Sequence, residues 1–76
     1  MGERFEIPLV ILRLNKVKAR TGLSRSGIYQ KMADGEFPES ISLGLRAVGW
    51  LESEVDQWLA DMVKVSRSSK NRAVQS

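Results

Sequence analysis

The sequence predicts a small α+β domain, mainly α-helical, with three helices and a two-stranded β-hairpin. The central stretch Thr21 to Gln30 (TGLSRSGIYQ) places a glycine and a serine between two helical patterns. Ile41 to Leu43 and Val48 to Trp50 alternate as strands do, on either side of a short turn. From Val55 to Met62, apolar residues recur at spacings of three and four, as on one face of a helix.

The size and composition exclude most kinds of enzyme. Seventy-six residues make at most one small domain. The chain has no cysteine and no histidine, which excludes disulfides, the usual zinc sites and Ser-His or Cys-His catalysis. A carboxylate-only enzyme stays formally open, but a domain of this size rarely shapes a pocket for one. We therefore predict a protein that is not an enzyme and that needs no cofactor or metal.

The apolar run near the N-terminus is too short for a membrane span. Pro8 and Arg13 interrupt the residues from Ile7 to Leu14, and a span needs about 20 apolar residues. The sequence thus predicts a soluble, intracellular protein without a membrane partner.

Charge is distributed unevenly along the chain, whose formal net charge is +3. Residues 7–33 contain six basic residues and no acidic one, and residues 34–63 contain seven acidic residues and one basic one. Residues 64–76 again carry only basic charge, with four such residues. A polyanion would be attracted to the first segment and repelled by the second. Chance segregation of charge on a small domain is the simpler alternative.

The N-terminal third reads as an arm, an extended segment and a short helix. Residues 1–8 show no periodicity and are predicted to be a flexible arm. Leu9 to Leu14 alternates in part, as an extended segment does. Asn15 is the candidate N-cap of a helix from Lys16 to Thr21, whose clearest core residue is Val17.

A second helix follows directly. Gly22 is predicted to end the first helix in a left-handed conformation, and Ser24 to cap the second. Ile28, Tyr29 and Met32 are predicted to form its buried face. The two helices and the turn between them make a helix-turn-helix, whose second helix can lie in a DNA major groove.

The sequence after the second helix predicts a wing, a third helix and a tail. Gly44 to Ala47 reads as the hairpin turn, with Arg46 at its tip. A third helix is predicted from about Ser53 to Val63. The DNA-binding domain is then residues 9–64, and residues 65–76 are predicted to be a disordered basic tail.

The order of these pieces resembles the AlpA-type prophage regulators, small winged helix-turn-helix proteins of the broader MerR and excisionase fold. The resemblance covers about two-thirds of the chain, and the Gly-Trp pair followed by an acidic helix makes it specific. The matching stretches are Ile11 to Leu14 (ILRL), Thr21 to Tyr29 (TGLSRSGIY), Phe37-Pro38 and Arg46 to Leu59 (RAVGWLESEVDQWL).

The resemblance implies a sequence-specific double-stranded DNA-binding protein of a prophage or other mobile element. Such proteins regulate integrase or excision genes, or act as excisionases that set the direction of recombination. The second helix would be the recognition helix, and the wing would touch an adjacent minor groove. The family usually has apolar residues where Lys18 and Arg20 stand, and threonine or a similar residue where Gly27 stands.

This mechanism assigns roles to ten side chains, each of which could instead be a solvated surface group. The predicted base contacts are Arg25, Ser26, Gln30 and Lys31. The predicted DNA-backbone contacts are Arg13, Lys16, Lys18, Arg20 and Ser24, and Arg46 is predicted to enter the minor groove. The aromatic residues Tyr29, Phe37, Trp50 and Trp58 are predicted to be core residues.

A protein-interaction module is the alternative function. In that case the acidic third helix and the tail would dock on an integrase or a regulator, and RNA polymerase is a further candidate partner. Steep loss of duplex affinity with salt would distinguish a DNA-binding protein from such a module. The oligomeric state stays open between a monomer and a weak cooperative oligomer on DNA.

Overall fold

The computed structural model describes residues 9–75, with side chains described for residues 9–68. Three helices surround a small antiparallel sheet, which confirms the predicted α+β architecture. In chain order the elements are β1 (Ile11–Leu12), α1 (Leu14–Thr21), α2 (Arg25–Ala33), β2 (Ile41–Gly44), β3 (Ala47–Leu51) and α3 (Glu52–Gln75). The predicted arm, residues 1–8, lies outside the described residues.

The sheet has one strand more than the predicted hairpin. Its order is β1-β3-β2, so the second strand of the hairpin is paired on both sides. Leu12 pairs with Trp50 across β1 and β3, and Ile41 pairs with Gly49 across β2 and β3. The extended segment near the N-terminus is therefore part of the sheet. Its pairing with β3, the central strand, attaches the start of the domain to the middle of the sheet.

Gly49 makes this close approach possible. A Cβ atom at this position would lie 2.3 Å from Ile11 Cγ2 and 3.1 Å from the Leu12 carbonyl oxygen. No side chain fits such a gap, because real Cβ contacts are longer. The glycine in β3 is therefore required by packing with β1.

The core consists of six buried apolar residues, which come from β1, α1, α2, the connector after α2, β3 and α3. Trp50 is fully buried at its centre, and Tyr29 of α2 meets its ring edge-on, with the ring centroids 6.2 Å apart. Phe37 meets the Trp58 ring of α3 in the same way, at 4.9 Å. The six residues are Leu12, Val17, Ile28, Phe37, Trp50 and Val55.

Helix α1 begins at Leu14, two residues earlier than predicted. Arg13 occupies the N-cap position without a side-chain cap, so the prediction of Asn15 as N-cap is wrong. Gly22 ends the helix with a φ of 76°, as predicted. The early start is explained by β1, because a single extended residue separates the last strand residue from the first turn of the helix.

Helix α2 begins and ends as predicted. The Ser24 hydroxyl accepts a hydrogen bond from the Gly27 N–H at 3.0 Å. Gly35, directly after the C-cap, has a φ of 74°. A Cβ at position 27 would lie only 3.2 Å from the Ser24 Oγ, so Gly27 leaves the cap uncrowded. The prediction that Tyr29 belongs to the buried face is wrong in part, since its side chain is 37% exposed.

Helix α3 begins at Glu52 and continues to Gln75, well past the predicted end near Val63. The prediction of a disordered tail from residue 65 is therefore corrected: the backbone stays helical. No glycine or proline follows Gly49 in the sequence, so nothing in the backbone interrupts the helix. Met62 is 44% exposed, which also corrects its predicted place in the core.

We expect Gly49→Ala to lower the free energy of unfolding by about 1–3 kcal/mol, because the added methyl group must push β1 away from β3. Thermal and urea denaturation followed by circular dichroism would measure the change. Ser42→Ala, at an exposed position of β2, is the matched control and should change stability little. Equal stability of the two variants would contradict the close approach of β1 and β3.

Candidate nucleic-acid interface

Three arginines from three different elements meet at one cleft. Arg13 precedes α1, Arg25 opens α2 and Arg46 lies in the turn between β2 and β3. All three are exposed and line a cleft of about 290 Å³. The other lining residues of this cleft, which we call the arginine cleft, are Leu14, Asn15, Tyr29 and Val48. Its lining, as far as the structure describes the chain, contains no carboxylate.

Tyr29 supports Arg25 within the cleft. The Arg25 guanidinium carbon lies 5.7 Å from the centroid of the Tyr29 ring, within the range of a cation–π contact. The Tyr29 ring also meets the ring of the buried Trp50 edge-on. The arginine is thus placed by a side chain that is itself fixed by the core.

The rest of the outer surface of α2 agrees in part with the predicted base contacts. Ser26 and Gln30 are exposed, and on a helix they lie beside Arg25 and Tyr29. The Gln30 amide is 3.4 Å from both carboxylate oxygens of Asp34, contacts at the long limit for hydrogen bonds. Lys31 is half-buried and lies about 120° around the helix from Arg25, so the structure does not bring it into the cleft.

The five predicted backbone contacts do not form one uniform group. Arg13 and Lys16 are exposed, Lys18 is half-buried, and Ser24 is the cap of α2. Arg20, in contrast, forms ion pairs with two carboxylates of the same chain. It donates hydrogen bonds to Asp56 Oδ1 at 2.8 Å and to Glu52 Oε2 at 2.7 Å.

This ion-pair group joins α1 to the start of α3. The hydrogen bond to Asp56, together with the charges of Asp56 and Glu52, raises the pKa of the Arg20 guanidinium above its usual value. With both terminal nitrogens occupied by carboxylates, Arg20 is poorly placed to neutralise a phosphate. A sequence pattern of basic residues cannot reveal this, because the two carboxylates come from more than 30 positions away.

The wing places Arg46 as predicted. Gly44 pairs with Ala47, so Leu45 and Arg46 form a two-residue turn. Arg46 has a φ of 61°, a left-handed conformation that is uncommon for residues other than glycine. Leu45 is 91% exposed at the tip. Arg46, in this turn, is one of the residues that line the arginine cleft.

Sequence reasoning missed the two uncharged polar residues of this cleft, Asn15 and Tyr29. Asn15 was assigned to a helix cap and Tyr29 to the core. A signal for Tyr29 was present, since it is four residues after Arg25 and therefore on the same side of the helix.

No helix among residues 9–75 is long and apolar enough to cross a membrane. The described side chains form no group of three or more carboxylates that could hold a metal ion.

Comparison with known proteins places the chain in one family. Two curated relatives are similar to it. The first is "Uncharacterized protein ORF88" of Enterobacteria phage P4, 48% identical over 52 residues, which are 68% of this chain and 59% of the relative. The second is "DNA-binding transcriptional activator AlpA" of Escherichia coli (strain K12), 39% identical over 61 residues, which cover 72% of this chain and 87% of the relative. The match thus spans less than two-thirds of the phage protein and most of the bacterial one. Residues 10–63 match the family described as "Prophage CP4-57 regulatory protein (AlpA)", and the chain therefore belongs to the AlpA family of prophage regulatory proteins.

Proposed function

We propose that this protein is a sequence-specific double-stranded DNA-binding regulator that uses the arginine cleft and the outer surface of α2. The observation that supports this most directly is the meeting of Arg13, Arg25 and Arg46 at one cleft between the recognition helix and the wing. Like charges brought together without carboxylates are stabilised by a polyanion, and DNA is the polyanion that a helix with a flanking hairpin fits. The family membership and the name of the E. coli relative support the same function.

In this proposal α2 lies in the major groove, which is wide enough for one helix. Arg25, Ser26 and Gln30 contact base edges, Arg25 by its forked contact with guanine and Gln30 with adenine. Tyr29 holds Arg25 in place from the side of the core. Lys31, on the far flank of the helix, is better placed for a phosphate than for a base.

The backbone contacts in the proposal are Arg13, Lys16, Lys18 and Ser24. The cap at Ser24 leaves the first amides of α2 free to meet a phosphate. Arg46 enters the neighbouring minor groove, where a narrow A·T-rich segment concentrates negative potential. Arg20 is assigned to the ion-pair group with Asp56 and Glu52 and not to DNA.

The proposed biological role is regulation of the integrase or excision genes of a prophage or mobile element. The printed name of the E. coli relative favours transcriptional activation. Action as an excisionase, with integrase as the partner, is the second form of the same proposal, and RNA polymerase is the partner expected of an activator. Either role belongs to the bacterial cytoplasm, at the nucleoid when the protein is bound.

We expect Arg25→Ala to weaken binding to the selected DNA site by about 1–3 kcal/mol, and to weaken binding to random DNA much less, because a contact to a base edge is lost. Selection of bound duplexes from a random pool defines the site, and gel-shift titrations measure both affinities. Lys16→Ala is the matched control, since a phosphate contact should weaken both duplexes equally. Unchanged site discrimination in Arg25→Ala would refute the assignment of α2 as the recognition helix.

Removing Tyr29 tests how Arg25 is positioned. We expect Tyr29→Leu to reduce affinity for the selected site in the same direction as Arg25→Ala, because the arginine loses its aromatic support. The double variant should lose less than the sum of the two single variants, since both changes act on one contact. Strictly additive losses would show that the two side chains act separately.

The two kinds of basic residue should differ in salt dependence. For Lys16→Ala, the slope of log affinity against log salt should decrease by about one unit, as for a lost phosphate contact. For Arg20→Ala the slope should stay unchanged while thermal stability falls, because the residue joins α1 to α3. An equal decrease of the slope in both variants would return Arg20 to the DNA-contacting group.

A further inference from the structure

The tip of the wing is apolar. Leu45 is 91% exposed, whereas the other exposed large apolar side chains of the described residues are between 37% and 61% exposed. It lies in the two-residue turn between Gly44 and Ala47, directly before Arg46. A side chain left almost entirely in water adds nothing to the packing of the domain itself. The apolar surface of Leu45 is therefore available to a partner.

The two strands hold this tip on a rigid base. β3 is paired on both sides, and its residues Val48 and Trp50 pack in or against the core. Arg46 has a φ of 61°, a backbone conformation that residues other than glycine and asparagine rarely adopt. Because the turn is only two residues long, Leu45 stays at the end of paired strands. Holding it against a partner therefore costs little conformational entropy.

The tip also adjoins the surface proposed for DNA. Arg46 lines the arginine cleft together with Arg25 of α2. From Ile41 to Leu51 the hairpin contains no acidic residue, and its one charged residue is Arg46. An apolar side chain next to a cation is the combination that proteins use to deform DNA from the minor groove, where the apolar side chain separates two base pairs.

We propose that Leu45 is a wedge that enters the minor groove beside Arg46, inserts between two neighbouring base pairs and kinks the DNA there. The inference rests on the proposed function and deepens it. It adds to the base contacts of α2 a residue whose selectivity comes from how easily the DNA is deformed.

The energetics of insertion predict which sequence the wedge favours. Insertion buries the leucine between the faces of two base pairs and costs part of the stacking between them. Pyrimidine–purine steps lose this stacking most easily. A TA step within an A·T-rich segment suits both residues of the turn, because the segment attracts Arg46 and the step admits Leu45. Leucine thus contributes to specificity without a hydrogen bond to any base.

Local unstacking and bending of the selected duplex test the proposal with the full chain. The adenine analogue 2-aminopurine, placed at one adenine at a time, becomes more fluorescent when it loses its stacking partners, and dyes at the two duplex ends report the bend by energy transfer. We expect the wild-type protein to unstack one step and to shorten the end-to-end distance. Leu45→Ala should lose both signals and bind about tenfold more weakly, because most of the buried apolar area is removed.

Two further variants and one altered duplex serve as controls. Leu45→Met keeps a long apolar side chain and should retain both signals. Val65→Ala, at a 61% exposed position of α3 outside the cleft lining, should behave like the wild type. Changing the TA step to AA preserves the minor-groove acceptors but stiffens the step, so the wild type should lose affinity and Leu45→Ala should lose little. Circular dichroism checks that each variant is folded.

Equal fluorescence and energy transfer with Leu45→Ala and with the wild type would overturn the wedge, and so would a wild-type complex without an unstacked step. A tip that contacts a protein instead of DNA would give one of these two results. The proposed function can stand when the wedge fails: if Arg25→Ala abolishes site discrimination while Leu45→Ala leaves the shape of the bound DNA unchanged, only the wedge is refuted. A chain that selects no duplex would refute both.

Discussion

The packing around Trp50 is the constraint on which the arrangement of this protein depends. Its ring is fully buried, its strand is paired on both sides, and its edge contact with Tyr29 ties the sheet to α2. The hairpin and α2 are thereby joined through one buried ring. Arg46 lies in the turn of the hairpin, and Arg25 contacts the Tyr29 ring. Apolar packing around Trp50 therefore holds the two arginines at one cleft despite their mutual repulsion. The indole N–H of Trp50 has no hydrogen-bond partner within the described residues, so this packing carries the cost of one buried donor.

Opposite charges are sorted onto different surfaces of the domain. Arg13, Arg25 and Arg46 line the arginine cleft, while Glu36, Glu39, Glu54 and Asp61 line a separate groove between the connector after α2 and α3. Arg20 is the exception that connects them, because it uses Glu52 and Asp56 to hold α1 against α3. The separation keeps carboxylates out of the lining of the arginine cleft.

Local patterns predicted the elements well wherever a position needs a conformation or a cap that favours one residue type. Gly22 and Ser24 marked the turn between α1 and α2, because a left-handed C-cap and a hydroxyl N-cap favour those residue types. The alternation around Gly44 to Ala47 marked the hairpin. The predictions failed where distant residues decide. Asn15 looked like a cap, but strand pairing of Ile11 and Leu12 starts α1 earlier.

The sequence alone established the kind of molecule: a small α+β domain with a helix-turn-helix and a hairpin, with basic charge concentrated in its first half. The helices and the hairpin follow from conformational preferences that act over a few neighbouring residues. The distribution of charge can be counted directly along the chain. The tertiary structure decided which charges are available. It engaged Arg20, placed Lys31 on a flank, brought Tyr29 to the surface beside Arg25, and continued α3 through the segment that composition had suggested was disordered. Those outcomes depend on contacts between residues far apart in the chain or on the propagation of a helix past its core, and neither is encoded in a short stretch of sequence.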